Sequence, residues 1–147
     1  MRILAVDVGT GTQDILLVDS ERTPENCLKL VVPSPTVLLS QQVAAATAAR
    51  FPLVITGALM GGGPVSWAVE RHHRAGLPIF ATEAAARTFN DDLQAVRADL
   101  GIEFVAEIEA ARLAQRDGYA TVRFGDLNYQ AIQAAFAAFG AALELDG

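Results

Sequence analysis

The sequence predicts an α/β fold in which three antiparallel strands precede an alternation of strands and helices. Three apolar segments near the start are joined by links too short for a crossover, which favours antiparallel neighbours. Beyond residue 35, alanine-rich segments with helical spacing alternate with short apolar runs bounded by Gly and Pro. The predicted result is a mixed sheet with helices on both faces.

Each element has a local signal. The predicted strands are Ile3–Asp7, Asp14–Asp19, Cys27–Val32, Leu53–Thr56, Pro78–Ala81, Ile102–Val105 and Tyr119–Phe124, of which the last alternates like an edge strand. The predicted helices are Val37–Arg50, Val65–Ala75, one after a Thr82 cap to about Arg87, one after Asn90-Asp91 to Leu100, Glu107–Arg116 and Tyr129–Leu143. Ser34 or Thr36 is expected to cap the first helix, and Asp126 or Asn128 the last. Trp67 is expected to anchor the core.

Composition excludes several classes of function. The net charge is −6 and no segment clusters Lys and Arg, so an electrostatic footprint for nucleic acid is absent. The single cysteine, Cys27, excludes an internal disulfide or a cysteine-ligated cluster. No apolar run approaches the ~18 residues of a membrane span, and no signal peptide is recognisable. We expect a cytoplasmic protein with neither nucleic-acid nor membrane partners.

The N-terminal turn is the strongest candidate site. A strand delivers Asp7, and the turn Gly9-Thr10-Gly11-Thr12-Gln13 follows before a second strand. Two glycines let backbone N–H groups approach an anion, and the Thr hydroxyls add donors. Asp7 can hold a hydrated magnesium ion beside the phosphates. An ordinary hairpin turn explains the same residues, and the sequence leaves both interpretations open.

The loop Gly61-Gly62-Gly63 is the second candidate site. It follows a strand and opens onto a helix at Pro64, which is typical of an anion site at the carboxyl end of a sheet. The alternative is a connection that only needs unusual backbone angles. We predict that the loop binds a substrate anion and shares a sheet edge with the Asp7 turn. His72 and His73 are adjacent, so they cannot chelate one metal, and a structural role near the helix C-terminus is favoured.

The order strand–Asp–turn–strand resembles the first phosphate motif of the actin-like ATPases, which include sugar kinases, heat-shock chaperone ATPases and actin. Each lobe of those proteins has a ribonuclease H-like fold. The resemblance implies that ATP and Mg²⁺ are the cofactors, that Asp7 assists magnesium and water, and that Gly9 to Gln13 bind phosphate. It also implies a ribonuclease H-like lobe over residues 1–90. Residues 91–147 are then a helical and edge-strand extension of the same domain.

At a closer level the chain resembles a prokaryotic family labelled pyruvate formate-lyase activating enzyme, whose members look like actin-like ATPases. The matching segments are Ile3–Leu17, Glu25–Cys27 with Lys29–Thr36, Met60–Pro64 with Trp67–Val69, and Phe89–Leu93. A radical activase needs three clustered cysteines, so that chemistry is rejected here. The family is about twice as long, with a second phosphate motif. The resemblance therefore implies one lobe, inactive alone, whose partner is a second lobe or a second copy; its small-molecule substrate stays open.

Two other functions remain as alternatives. One is a structural or interaction domain without catalysis. The other, less favoured, is a ribonuclease H-like nuclease, which needs further carboxylates around Asp7 to hold two metals. The fourth predicted strand ends in Thr56-Gly57, where such a nuclease typically has an acid.

Overall fold

The computed structural model describes residues 1–143 and 145. The strands are β1 (Arg2–Val8), β2 (Thr12–Asp19), β3 (Leu28–Pro33), β4 (Leu53–Gly57), β5 (Ile79–Ala81), β6 (Ile102–Phe104) and β7 (Ala120–Phe124). The helices are α1 (Pro35–Ala49), α2 (Pro64–Arg74), α3 (Glu83–Ala86), α4 (Leu93–Leu100), α5 (Glu107–Leu113) and α6 (Tyr129–Ala138). Each predicted strand and helix is present in the predicted order.

The chain folds as two compact units. The N-terminal unit combines Met1–Ser34 with the described residues from Leu127 onward, and the central unit is Pro35–Asp126. Strand pairing follows this division, with an antiparallel sheet β1-β2-β3 and a parallel sheet β6-β5-β4-β7. The prediction of a single mixed sheet therefore needs correction. The edge strand β7 pairs with β4 along its whole length, so β4 has hydrogen-bonded neighbours on both sides. The predicted division at residue 90 stays a prediction.

In the N-terminal unit, α6 covers one face of the antiparallel sheet. Strand β2 alternates, and its inward residues Ile15 and Leu17 pack with Ile132 and Phe136 of α6. Helix α6 ends at Ala138 instead of the predicted Leu143. The reason is Gly140, whose left-handed φ of +77° ends the helix.

In the central unit, helices cover both faces of the parallel sheet, as predicted. Leu53 and Ile55 of β4 lie in one core with residues of α1 to α4, whereas Val54 packs with Ala110 and Leu113 of α5 on the opposite side. All three β4 side chains are fully buried. This is the pattern of a central parallel strand that is covered on both faces.

Helix α2 corrects the prediction for Trp67, whose side chain is 61% exposed. The buried residues of α2 are Val65, Ala68, Val69 and His72, which recur at helical spacing on one face. Trp67 lies off that face. Its position in the helical repeat, and not the general preference of Trp for the core, therefore decides its exposure. Across the described residues, no helix has both the length and the apolarity needed to cross a membrane.

Candidate functional site

The predicted phosphate turn is a tight hairpin at the end of β1 and β2. Asp7 is opposite Asp14, Val8 is opposite Gln13, and the amide of Gly9 donates to the carbonyl of Thr12 at 2.9 Å. Thr10 and Gly11 therefore form a two-residue loop. The structure brings the predicted residues Asp7 and Gly9 to Thr12 together at this tip, where all of them are exposed.

Ser34, at the end of β3, holds the hairpin tip in place. Its hydroxyl donates to the Thr10 carbonyl at 3.0 Å, and its amide donates to the Gly11 carbonyl at 3.1 Å. A trans peptide places N–H opposite C=O, so fixing the Thr10 carbonyl on Ser34 turns the Gly11 N–H away from Ser34. That N–H donates to none of the described residues. Ser34, expected as a helix cap, is instead the buried support of this turn.

The two glycines of the hairpin differ in the space around them. A Cβ on Gly9 would lie 3.0 Å from the Thr12 carbonyl oxygen, so the backbone there is closely packed. A Cβ on Gly11 would meet nothing within 4 Å. The space on the Cβ side of Gly11 is therefore open, whereas the same space at Gly9 is filled by backbone.

Two carboxylates lie side by side next to the hairpin. Asp7 and Asp14 are cross-strand partners, so their side chains leave the same face of the sheet. Lys29 on β3 lies 3.6 Å from Asp14, whereas Asp7 forms no ion pair or hydrogen bond with any described residue. Asp14 was not identified as a site residue from the sequence. Its position opposite Asp7 follows, however, once the two strands are paired as a hairpin.

Gln13 is placed differently from the other predicted phosphate ligands. Its side chain is 4% exposed and shares the α6 face of β2 with Ile15, because strand residues two apart point the same way. The hairpin therefore presents Gly9 to Thr12 at the surface, while Gln13 lies in the interior of the N-terminal unit.

The Gly61–Gly63 loop lies in the central unit, after the carboxyl end of β4. The order β6-β5-β4-β7 makes β4 and β7 the point where the chain reverses its direction across the sheet. Open α/β sheets bind ligands outside the carboxyl ends of strands at such a point. Asp126, which follows β7, accepts a hydrogen bond from the Gly61 amide at 3.0 Å. The loop and Asp126 thus flank the expected ligand position.

Side chains from α1 and from the residues after α3 hold this loop rigidly. Thr36 donates to the Gly62 carbonyl and accepts from the Val65 amide at 3.1 Å. The Met60 amide donates to the Thr88 hydroxyl at 3.1 Å. Gly63 has a φ of 60° with ψ of −126°, a conformation that side chains disfavour. The Gly62 and Gly63 amides donate to no described residue.

Sequence reasoning missed the roles of Asp126, Thr36 and Thr88 in this loop. Asp126 and Thr36 were expected only as helix caps, but Asn128 is the residue whose side chain caps α6, through the Ala131 amide. The prediction that the hairpin and the Gly loop share one cleft stays a prediction, since they belong to different units.

A family model described as "Putative pyruvate format-lyase activating enzyme (DUF1786)" matches residues 60–146, more than half of the chain. The chain belongs to this family. The match begins with the Gly loop and includes β5, β6 and Asp126, but it does not include the hairpin. No curated protein matches the chain. No solved structure matches it either.

The family description does not fit the cysteine content of these 147 residues. Radical activases hold an iron–sulfur cluster with three cysteines, and Cys27 is the single cysteine in the sequence. It is half-buried, 3.5 Å from the Asp19 amide. Family membership therefore shows which proteins are related to this chain. It does not show that the chain carries out the radical chemistry that the description names.

Proposed function

We propose that this chain is the phosphate-binding lobe of an actin-like ATPase or kinase that uses ATP and Mg²⁺. The observation that carries the proposal is the Ser34-supported hairpin, in which the Gly11 amide and the Asp7 carboxylate have no hydrogen-bond or ion-pair partner among the described residues. The central peptide of any two-residue turn leaves its N–H unbonded, so the buried serine that fixes the orientation of this peptide is what sets the turn apart. A turn held in one orientation can bind phosphate without being reordered.

The hairpin offers suitable donors for phosphate oxygens. The Gly11 N–H and the exposed hydroxyls of Thr10 and Thr12 lie on consecutive residues. Backbone N–H groups in a turn form a concave site for anions, and a rigid turn binds without reordering. Gln13 is left out of this set because its side chain is buried.

The paired carboxylates fit magnesium. Mg²⁺ keeps several waters and is usually held by one or two carboxylates together with substrate phosphates. Asp7 and Asp14 supply that number, and Asp7 would hold a metal-bound water in place. The bound ion would neutralise charge on the phosphates. Among the described residues no group of three or more His, Cys, Asp or Glu could hold a metal, which disfavours a two-metal nuclease.

The Gly61–Gly63 loop is the proposed substrate site. Its Gly62 and Gly63 amides and the first turn of α2 offer N–H groups to an anionic substrate, and Asp126 fixes the loop through the Gly61 amide. A second lobe, on another chain or in a longer protein, would supply the adenosine pocket. We therefore expect Mg·ATP binding by this chain with little hydrolysis.

The decisive test is Mg·ATP binding by calorimetry to the wild type and to Gly11→Val. Because a Cβ there meets nothing within 4 Å, the variant should fold normally, and its side chain would crowd a phosphate bound at the turn. We expect an affinity loss of at least about tenfold, or 1.4 kcal/mol. Gly125→Val, at an equally open position in the central unit, is the matched control. Equal affinities for Gly11→Val and the wild type would refute the phosphate role.

A second variant tests the metal. Asp7→Asn removes the charge but keeps the shape of the side chain, so it should retain binding of ATP alone. We expect it to lose most of the increase in affinity that Mg²⁺ gives the wild type. An unchanged magnesium effect would show that Asp7 is not beside the ion.

A further inference from the structure

The central unit has the strand order of a nucleotide-binding sheet. Its order β6-β5-β4-β7 matches the 3-2-1-4 part of the doubly wound arrangement, in which β4 takes the place of the first strand. The glycine loop follows β4 and opens α2, as the phosphate-binding turn does in that arrangement. The glycine spacing is not G-x-G-x-x-G, so the comparison depends on topology and geometry.

An acidic residue occupies the position that contacts ribose in such sheets. Glu83 follows the end of β5, the equivalent of the second strand, and lies 20 residues after Gly63 (83 − 63). Dinucleotide-binding sheets place an Asp or Glu about 20 residues beyond the glycines, where its carboxylate accepts from the ribose 2′-hydroxyl. Glu83 is exposed and free to make such a contact.

A cavity of about 400 Å³ adjoins Glu83 at the same edge of the sheet. It is lined by Thr82, Glu83, Ala84, Phe104, Val105, Ala106 and Glu107, at the carboxyl ends of β5 and β6. Adjacent strands are about 4.8 Å apart, so the cavity lies roughly 5–10 Å from the end of β4. That span suits a nucleoside whose 5′-phosphate is on the glycine loop.

Thr82, at the end of β5, also lines this cavity. It is 3% exposed, lines the cavity, and its hydroxyl has no hydrogen-bond partner among the described residues. It occupies the N-cap position of α3, yet its side chain does not cap that helix. Buried hydroxyls are nearly always paired, so the Thr82 hydroxyl is an exception next to this cavity.

We propose that the central unit binds a ribonucleoside 5′-phosphate across the carboxyl edge of its parallel sheet. The phosphate lies on the Gly62 and Gly63 amides at the start of α2, and Glu83 accepts from the ribose hydroxyls. The base packs between Ala84 and Phe104, which line the cavity. This proposal deepens the substrate role of the Gly61–Gly63 loop and is independent of the hairpin.

The test compares AMP, 2′-deoxy-AMP and adenosine as probes, without magnesium, by amide chemical-shift titration of the whole chain. We expect AMP to perturb residues 61–66 and 82–84, and to bind about tenfold more tightly than 2′-deoxy-AMP, the effect of one hydrogen bond to a charged group. Adenosine, which lacks the phosphate held by two amides, should bind at least about tenfold more weakly than AMP. No perturbation at roughly 10 mM AMP would overturn the proposal.

Variants then separate the contacts. Glu83→Ala should bind AMP and 2′-deoxy-AMP equally, because the carboxylate that reads the 2′-hydroxyl is gone. Glu109→Ala, an exposed acid on α5 outside the cavity, should keep the tenfold preference. Gly62→Ala should bind AMP no better than adenosine, and thermal unfolding verifies its fold. If Glu83→Ala still prefers AMP to 2′-deoxy-AMP, or if Glu109→Ala loses that preference, Glu83 does not contact the 2′-hydroxyl.

The hairpin variant keeps the two proposals distinguishable. Gly11→Val should bind AMP without magnesium as the wild type does, because the hairpin belongs to the other unit. Loss of Mg·ATP binding in Gly11→Val with AMP binding retained supports both sites. Loss of AMP binding in this variant would mean that the hairpin, and not the glycine loop, holds the phosphate.

Discussion

His72 is fully buried on α2, where one of its ring nitrogens pairs with a threonine hydroxyl. The Thr47 hydroxyl lies 2.8 Å from the Val43 carbonyl and 2.9 Å from His72 Nδ1. Nδ1 therefore pairs with this hydroxyl, whereas Nε2 has no hydrogen-bond partner among the described residues. Burial lowers the pKa of His72, an effect that the Pro78 carbonyl partly opposes. A neutral imidazole does not supply the positive charge expected near this helix end.

Stability should therefore fall as the pH drops below about 6.5, the ordinary pKa of histidine. Between the lowered folded-state pKa and 6.5, the unfolded chain binds a proton that the folded chain does not, so acidification favours unfolding. Urea unfolding from pH 7.5 to 5.5 should show this slope in the wild type. The slope should be reduced in His72→Gln and retained in His73→Gln. An identical slope in all three proteins would contradict the buried neutral His72.

Loss of the Ser34 hydroxyl should disturb the hairpin turn without unfolding the protein. Ser34→Ala removes one hydrogen bond to the Thr10 carbonyl, which costs about 1 kcal/mol of stability. We expect weaker Mg·ATP binding with unchanged helix content, because the freed turn must be reordered by the ligand. Ser40→Ala, which removes a hydroxyl bonded to Val37 within α1, is the control. Equal affinities of Ser34→Ala and Ser40→Ala for Mg·ATP would show that Ser34 does not contribute to the site.

At the scale of elements, α6 stabilises the antiparallel sheet through one face only. Phe136 is fully buried against that sheet, whereas Phe139, just after the helix, is 72% exposed. Neither β1 nor β3 has a second neighbour among the described strands, so this small unit depends on its helix.

Two phenylalanine variants test that dependence. Phe136→Ala should lower the free energy of unfolding by about 3–5 kcal/mol, the usual effect of removing a buried aromatic ring. Phe139→Ala should change it by less than about 0.5 kcal/mol. Chemical denaturation followed by circular dichroism measures both. Similar losses in the two variants would mean that α6 does not pack as described.

At the scale of the whole molecule, apolar side chains remain uncovered on the sheet face opposite α6. Ile3 is 44% and Val31 is 57% exposed, and both alternate with residues that pack under α6. Exposed apolar faces of this kind mark partner surfaces. The partner we expect is a second copy or a second lobe.

We expect the chain alone to associate as a symmetric dimer through this face. A dilution series in the ultracentrifuge should show dimers that dissociate on dilution, and Val31→Lys should shift the population to monomers. Ile108→Lys, on the exposed side of α5, is the control. A monomer at all concentrations that gains ATPase activity when a separately expressed second lobe is added would favour the two-lobe alternative. A monomer that hydrolyses ATP unaided would contradict both.

Local sequence signals determined the elements, their order and the two glycine turns. Alternation, Gly and Pro act within a few residues, so β1, β2, the hairpin at Gly9 to Thr12 and the Gly61–Gly63 loop were predictable. The tertiary structure decided which strands share a sheet, because the pairing of β7 with β4 joins residues far apart in the chain. It also decided side-chain roles that local patterns misassign. The sequence indicates only helix caps at Ser34 and Asp126, because the Thr10 carbonyl and the Gly61 amide that they bind come close to them only in the folded chain.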